Sequence, residues 1–173
     1  LRLLAGHPQL VPARLFGDSK AGRPIGAVHP HVAAAYPSLT VERFDEDALD
    51  GIDLVFAALP HGESQKIAPP LLNRGIPFVD LGADFRLSSA AEYERWYGEP
   101  HQAPDLLGRL VFGIPELSRD AIRSAKAVAA AGCYPTAAIL ALKPLLDAGL
   151  AKPHSIIVDA ASGVSGAGRA LKE

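Results

Sequence analysis

Two apolar runs constrain this chain more than any other feature. "GIDLVFAALP" (51–60) and "IPFVDLG" (76–82) are rich in apolar and β-branched residues and bounded by turn residues. That is how a strand buried in a parallel sheet reads. Between them "ESQKIAPPLLNRG" (63–75) has helical character, although Pro69 and Pro70 are expected to kink or split it. Strand, helix, strand at this spacing is a βαβ unit, so the predicted fold class is α/β: a Rossmann-like, doubly wound parallel sheet.

The flanking segments extend the pattern. "LRLLAGHPQL" reads as a helix end stopped by Gly6 and Pro8, "ARLFG" (13–17) as a short strand, and 18–39 as a long loop punctuated by glycine and proline. "AAEYERWYG" (90–98) reads as a surface helix, 99–113 as loop-rich, and "AKAVAAAG" (125–132) as a strand of small residues. From Pro135 a helix is expected to run to Gly149, with Ile139, Leu142, Leu146 and Leu150 on one face and a bend at Pro144. "SIIVDAASG" (155–163) is expected as a strand and "GVSGAGR" (163–169) as a glycine-rich loop. The change of character at Gly132 divides the chain into 1–131, the Rossmann-like domain, and 132–173, the beginning of a mixed α/β catalytic domain. The sequence has no methionine, opens inside an amphipathic pattern and stops as "GRALKE" starts a new one. It is therefore expected to be a piece of a longer protein, lacking both ends.

Composition excludes several function classes. Hydrophobic residues make up 49% and charged residues 21% of the 173, enough for a core without disulfides. A single cysteine fits a reducing cytoplasm. The formal net charge of −2, with both signs scattered, offers no basic face for nucleic acid. No apolar run reaches the roughly 18 residues of a membrane span, and no signal peptide opens the chain. "HPH" (29–31) sets two histidines around a proline with no cysteine partners, so a solvated turn is preferred to a metal site, and no metal is expected.

The one cysteine stands in "AAGCYPTAAILALKPLL" (130–146). Pro135 suits the first turn of a helix, which places Cys133 at or just before the helix N-terminus. Free N–H groups and the positive end of the helix dipole favour a thiolate there, and Gly132 leaves room beside it. A buried structural cysteine is the competing reading. Two other segments share its sheet edge. "ALPHG" (58–62) follows one parallel strand, where open α/β sheets bind ligands, and "GADFR" (82–86) follows the next. Arg86 there is a fork suited to phosphate or carboxylate, or simply a surface arginine.

Taken together, "LPHG", "DLGADFRL", "YG" at 97–98, "FGIPEL", "AGCYPTAAILALKPL" and "SGVSGAGR" resemble, in order and over essentially the whole chain, the N-acetyl-gamma-glutamyl-phosphate reductases. These are NADP-dependent enzymes of arginine biosynthesis related to aspartate-semialdehyde dehydrogenase. The resemblance implies reductive dephosphorylation of a small acyl phosphate. Cys133 would attack it to leave a thioester that NADPH reduces to the semialdehyde. It also implies that Arg86 and Ser162 bind substrate, and that Ser19, Lys20, Pro60, His61, Gly62 and Gly163 line the cofactor. A homo-oligomer is expected from the same likeness.

Three departures accompany it. The family's glycine-rich pyrophosphate loop would precede Leu1, its general acid/base histidine would follow Glu173, and Asp18 stands where many relatives carry a polar or basic residue. An acid there favours the ribose diol of NAD, with Lys20 or Arg23 as compensation for NADP. Alternatives are a reductase of carrier-bound acyl phosphates in lysine biosynthesis, a Cys–His hydrolase or acyltransferase with His61 or His154 as base, and a non-catalytic dinucleotide sensor.

Overall fold

The computed structural model describes residues 1–163 and Gly166, and divides into two compact units, the second beginning at Leu54. In the first unit, β1 (Leu15–Phe16) runs parallel to β2 (Val41–Glu42), with Leu15 opposite Val41. Their connection is not all loop. It holds the helical turn α1 (Ile25–Val28), whose Ile25 N–H donates to the Leu39 carbonyl at 2.8 Å. Ile25, Val32 and Val41 are buried together, with Leu15, Val28, Tyr36 and Leu39 packed around them. Their burial sets the fold of the connection where glycines and prolines alone indicated a loop. The opening segment forms only a single 3₁₀ turn, Leu4–Gly6.

The second unit runs β3 (Val55–Ala57), α2 (Ser64–Asn73), β4 (Phe78–Asp80), α3 (Ala90–Tyr97), β5 (Val111–Gly113), α4 (Pro115–Ser124), β6 (Ala127–Ala130) and α5 (Cys133–Asp147). Its four strands are all parallel, in the order β3-β4-β6-β5. The Rossmann-like α/β expectation holds, and the two apolar runs are neighbouring parallel strands as predicted, Phe56 lying opposite Val79. Register places Ala57, Asp80 and Ala129 in one row across the sheet, and all three are buried. Small alanines on both sides leave the space around Asp80 to polar neighbours from elsewhere.

Several elements depart from expectation. α2 is one helix through Pro69 and Pro70, not two. β5 lies inside the stretch expected as loop, and α4 follows it with Pro115 in its first turn. The predicted strand at 155–163 does not form. A strand exists only through its ladder, and no described strand lies beside this stretch, so Ile157 is 92% exposed despite its strong β propensity. α3 is as predicted: Ser89 Oγ caps it by accepting from the Glu92 N–H, Gly98 closes it at φ 79°, and only Tyr93 is buried. Among the described residues no helix is long and apolar enough to cross a membrane.

Candidate functional site

Parallel strands end on one edge, so the loops after β3, β4 and β6 are brought together by topology alone. Cys133 is the first residue of α5, immediately after β6, and its thiol is exposed. Gly132 is the N-cap, and its carbonyl accepts from the Thr136 N–H at 2.9 Å. No side chain caps this helix, so its first N–H groups remain open toward the thiol. That is the placement the position of Pro135 predicts.

Arg86, in the loop after β4, reaches across to the same place. Its Nε–H donates to the Ala130 carbonyl at 2.9 Å and Nη2 donates to the Leu81 carbonyl at 3.1 Å. A Cβ built on Gly132 would lie 2.8 Å from Arg86 Nη1 and 3.3 Å from Cζ. The room that Gly132 provides beside Cys133 is filled by the guanidinium. Arg86 thus ties the end of β4 to the end of β6 and keeps Nη1 against the residue preceding Cys133. Among the described residues no carboxylate pairs with it.

The loop after β3 is held from below by a residue that sequence reasoning passed over. Asp84 is fully buried. Its Oδ1 accepts from the Gly62 N–H at 2.9 Å and its Oδ2 from the Ser64 N–H at 3.0 Å. His61 Nδ1 stands 3.2 Å from Oδ1, so that nitrogen carries the proton directed at the carboxylate. In the neutral ring Nε2 then accepts from the Tyr93 hydroxyl at 3.1 Å, and that oxygen accepts from Gln65 Nε2 at 2.8 Å. Glu99 Oε1 lies 3.2 Å from the same Nε2 and would receive its proton in the charged ring. The ring stacks on Tyr97 with centroids 4.5 Å apart.

Tyr93 is itself fully buried, which pushes its phenol up to about 12, with the Asp84 and Glu99 charges adding to the effect. Below it, His101 Nδ1 accepts from the Ala103 N–H at 3.0 Å. Its Nε2 therefore carries the proton donated to the Asp84 carbonyl at 3.0 Å.

Asp80, at the end of β4, completes the polar layer. Its Oδ1 accepts from Ser64 Oγ at 2.7 Å and from the Gly82 N–H at 2.9 Å. Its Oδ2 is buried and has no hydrogen-bond partner among the described residues. Burial holds this carboxyl above the usual carboxylate range, against the lowering effect of the Ser64 and Gly82 hydrogen bonds. Gly82 allows a close approach here, since a Cβ would come 3.0 Å from Asp80 Oδ1 and 3.2 Å from Ser64 Oγ and would crowd both.

Of the residues singled out from sequence, Pro60, His61, Gly62, Arg86 and Cys133 lie on this sheet edge within one unit. Asp18, Ser19 and Lys20 form the turn after β1, in the other unit. Ser162 and Gly163 are exposed, and "GVSGAGR" otherwise lies outside the described residues except for Gly166. His154 is exposed in the segment after α5. Asp80, Asp84, Tyr93 and His101 are the functional-edge residues that the sequence did not announce. The two aspartates have one signal, the alternation of acid and glycine in "DLGAD" at a strand end, and Tyr93 and His101 lie outside it.

Comparison with known proteins agrees with the geometry. Residues 1–125 match the family model described as semialdehyde dehydrogenase, NAD binding domain. Residues 133–173 match the one described as semialdehyde dehydrogenase, dimerisation domain. The N-acetyl-gamma-glutamyl-phosphate reductase of Ectopseudomonas mendocina (strain ymp) is 48% identical over 169 residues, 98% of this chain and 49% of the relative. Proteins of the same name from Azotobacter vinelandii and from Pseudomonas aeruginosa PAO1 are each 47% identical over 172 residues. The chain spans about half the length of the curated relatives it matches. The resemblance read from the motifs is therefore shared by whole-chain similarity. With the first family model covering residues 1–125 of 173, the chain belongs to the semialdehyde dehydrogenase family.

Proposed function

We propose that this chain carries the cofactor-lining and nucleophile-bearing part of an N-acetyl-gamma-glutamyl-phosphate reductase of arginine biosynthesis. The observation that carries the reading is Cys133, exposed at an uncapped helix N-terminus, with the Arg86 guanidinium lodged against Gly132 beside it. The Cys133 thiolate attacks the carbonyl carbon of the acyl phosphate, and phosphate departs with the electron pair of the broken C–O bond. Arg86 Nη1 supports the phosphate as it leaves, in a geometry its two backbone hydrogen bonds hold rigid. NADPH, when bound, supplies the hydride that reduces the thioester carbon. Cleavage of the C–S bond then returns the thiolate and releases the semialdehyde.

The described residues fit one part of that cofactor. Gly62, at φ 86°, lets the loop after β3 turn with its backbone toward the sheet edge, and Pro60 and His61 line it. On the family likeness, Ser19 and Lys20 would serve the cofactor, and Ser162 and Gly163 would serve the acyl group and the nicotinamide. The first N–H of α2, that of Ser64, and the Gly62 N–H before the helix are already taken by Asp84. His61 has both ring nitrogens committed within the protein, which disfavours a hydrolase using it as a free base.

The domain boundary is placed at 131/132, a reading supported by the separate family matches on either side. The dimerisation-domain match supports a homo-oligomer, and a single exposed thiol suits the reducing cytoplasm. The test is acyl-phosphate-dependent NADPH oxidation by the full-length protein, with and without Cys133→Ser. Turnover should fall at least about 1,000-fold in the variant. Intact-mass measurement without NADPH should show an acyl adduct on the wild type only. Undiminished turnover by the variant would defeat the assignment.

A further inference from the structure

We propose that Asp84 is the positioning residue for cofactor binding, an inference that rests on the reading of the 60–62 loop as the nicotinamide-cofactor loop. A buried carboxylate is unfavourable unless its oxygens are fully hydrogen-bonded, and Asp84 meets that condition only through the β3 loop. The contacts to Gly62, Ser64 and His61 reach back 20 to 23 residues, so this is no local turn. They span both sides of the loop: its glycine, its imidazole and the first residue of α2. The negative charge also sits at the N-terminal end of α2, where the helix dipole favours it. His101, donating to the Asp84 carbonyl, fixes the backbone from which the carboxylate projects. The grip is stereochemically demanding because Gly62 holds φ 86°. Removing the acceptor frees a loop whose open conformations greatly outnumber its bound one, so the cofactor must then order it on binding.

Asp84→Asn keeps the shape but turns one oxygen into an amino group facing a backbone N–H, either that of Gly62 or that of Ser64. In the full-length protein the Kd for NADPH, read by its fluorescence, should rise about tenfold. kcat at saturating NADPH should change less than about threefold, because Cys133 and Arg86 are held by other contacts. Amide exchange over 60–64 should accelerate. A lowered Tm with Kd and exchange unchanged would overturn the proposal, since that is the signature of a residue that only stabilises the fold. Should Asp84→Asn fail to fold, His61→Phe retains the stack on Tyr97 and removes the ring nitrogen at the carboxylate. Amide exchange over 60–64 should accelerate in it, and unchanged exchange would count against Asp84. If the wild type binds neither NADPH nor NADH, the proposed function falls. Faster exchange over 60–64 in Asp84→Asn would still establish the positioning of that loop, and unchanged exchange would overturn it.

Discussion

Gly132→Ala is the substitution that most directly probes the brace beside Cys133. The residue's φ −70° and ψ 162° are open to alanine, so the backbone itself raises no objection. The added Cβ would stand 2.8 Å from Arg86 Nη1, inside van der Waals contact, and the guanidinium must move. Its end is flexible but tethered, at 2.9 Å to Ala130 and 3.1 Å to Leu81. Hydrogen bonds from a charged donor are worth about 1.5–3 kcal/mol each when buried; for a half-buried arginine about 1 kcal/mol is the fair figure. Losing both costs about 2 kcal/mol, offset by roughly 0.4–1 kcal/mol from the smaller entropy of the unfolded alanine chain. The net destabilisation is then about 1–1.5 kcal/mol. At a urea m-value of about 2 kcal/mol/M, the midpoint should fall by about 0.5–0.8 M. The same substitution in an Arg86→Ala background meets no guanidinium and should be neutral or stabilising. An equal cost in both backgrounds would refute the contact, and with it the claim that Arg86 locks the Cys133 loop.

Other outcomes follow from single residues. Asp18 is exposed in the turn after β1, beside Ser19 and Lys20. Asp18→Ser should raise the NADPH to NADH ratio of kcat/KM about fivefold by removing a charge near the 2′-phosphate, and a constant ratio would place Asp18 outside the cofactor site. Burial holds Asp80 above its unfolded value of 3.8, so the folded state retains its proton to higher pH than the unfolded chain does. Its contribution is fully present below 3.8 and is lost as pH rises through the folded value. Asp80→Asn cannot titrate, so its stability relative to wild type should improve as pH rises above 3.8, and a flat difference in urea midpoints would contradict this.

The parts of this fold legible in sequence are those where burial or capping leaves a pattern in side chains. β3 and β4 read clearly because both faces of a parallel strand demand apolar residues. α3 read clearly because Ser89 and Gly98 punctuate its ends. β5 is three residues long, too short for a pattern of its own, and α4, though amphipathic, is broken by a non-helical Ser118 and buries no residue. At 155–163 the pattern was present and the partner was not.

The site divides the same way. Cys133 was legible because Pro135 marks the helix start. Arg86 was legible as a fork, yet both hydrogen-bonding partners it holds are backbone carbonyls, which no side-chain motif announces. Asp84 is the extreme case: its acceptor capacity is spent largely on backbone N–H groups and one ring nitrogen. A polar residue at a strand end can face a ligand or fasten one loop to the next, and composition is the same for both. Only the positions of the carbonyls and N–H groups distinguish them. On this edge "GADFR" fastens twice, Asp84 to the 60–64 loop and Arg86 to the loop before Cys133, from positions two residues apart. In the proposed reaction, where Cys133 would carry the acyl group and the 60–62 loop would line the cofactor, rigid coupling of those loops would hold the acyl carbon where the hydride arrives.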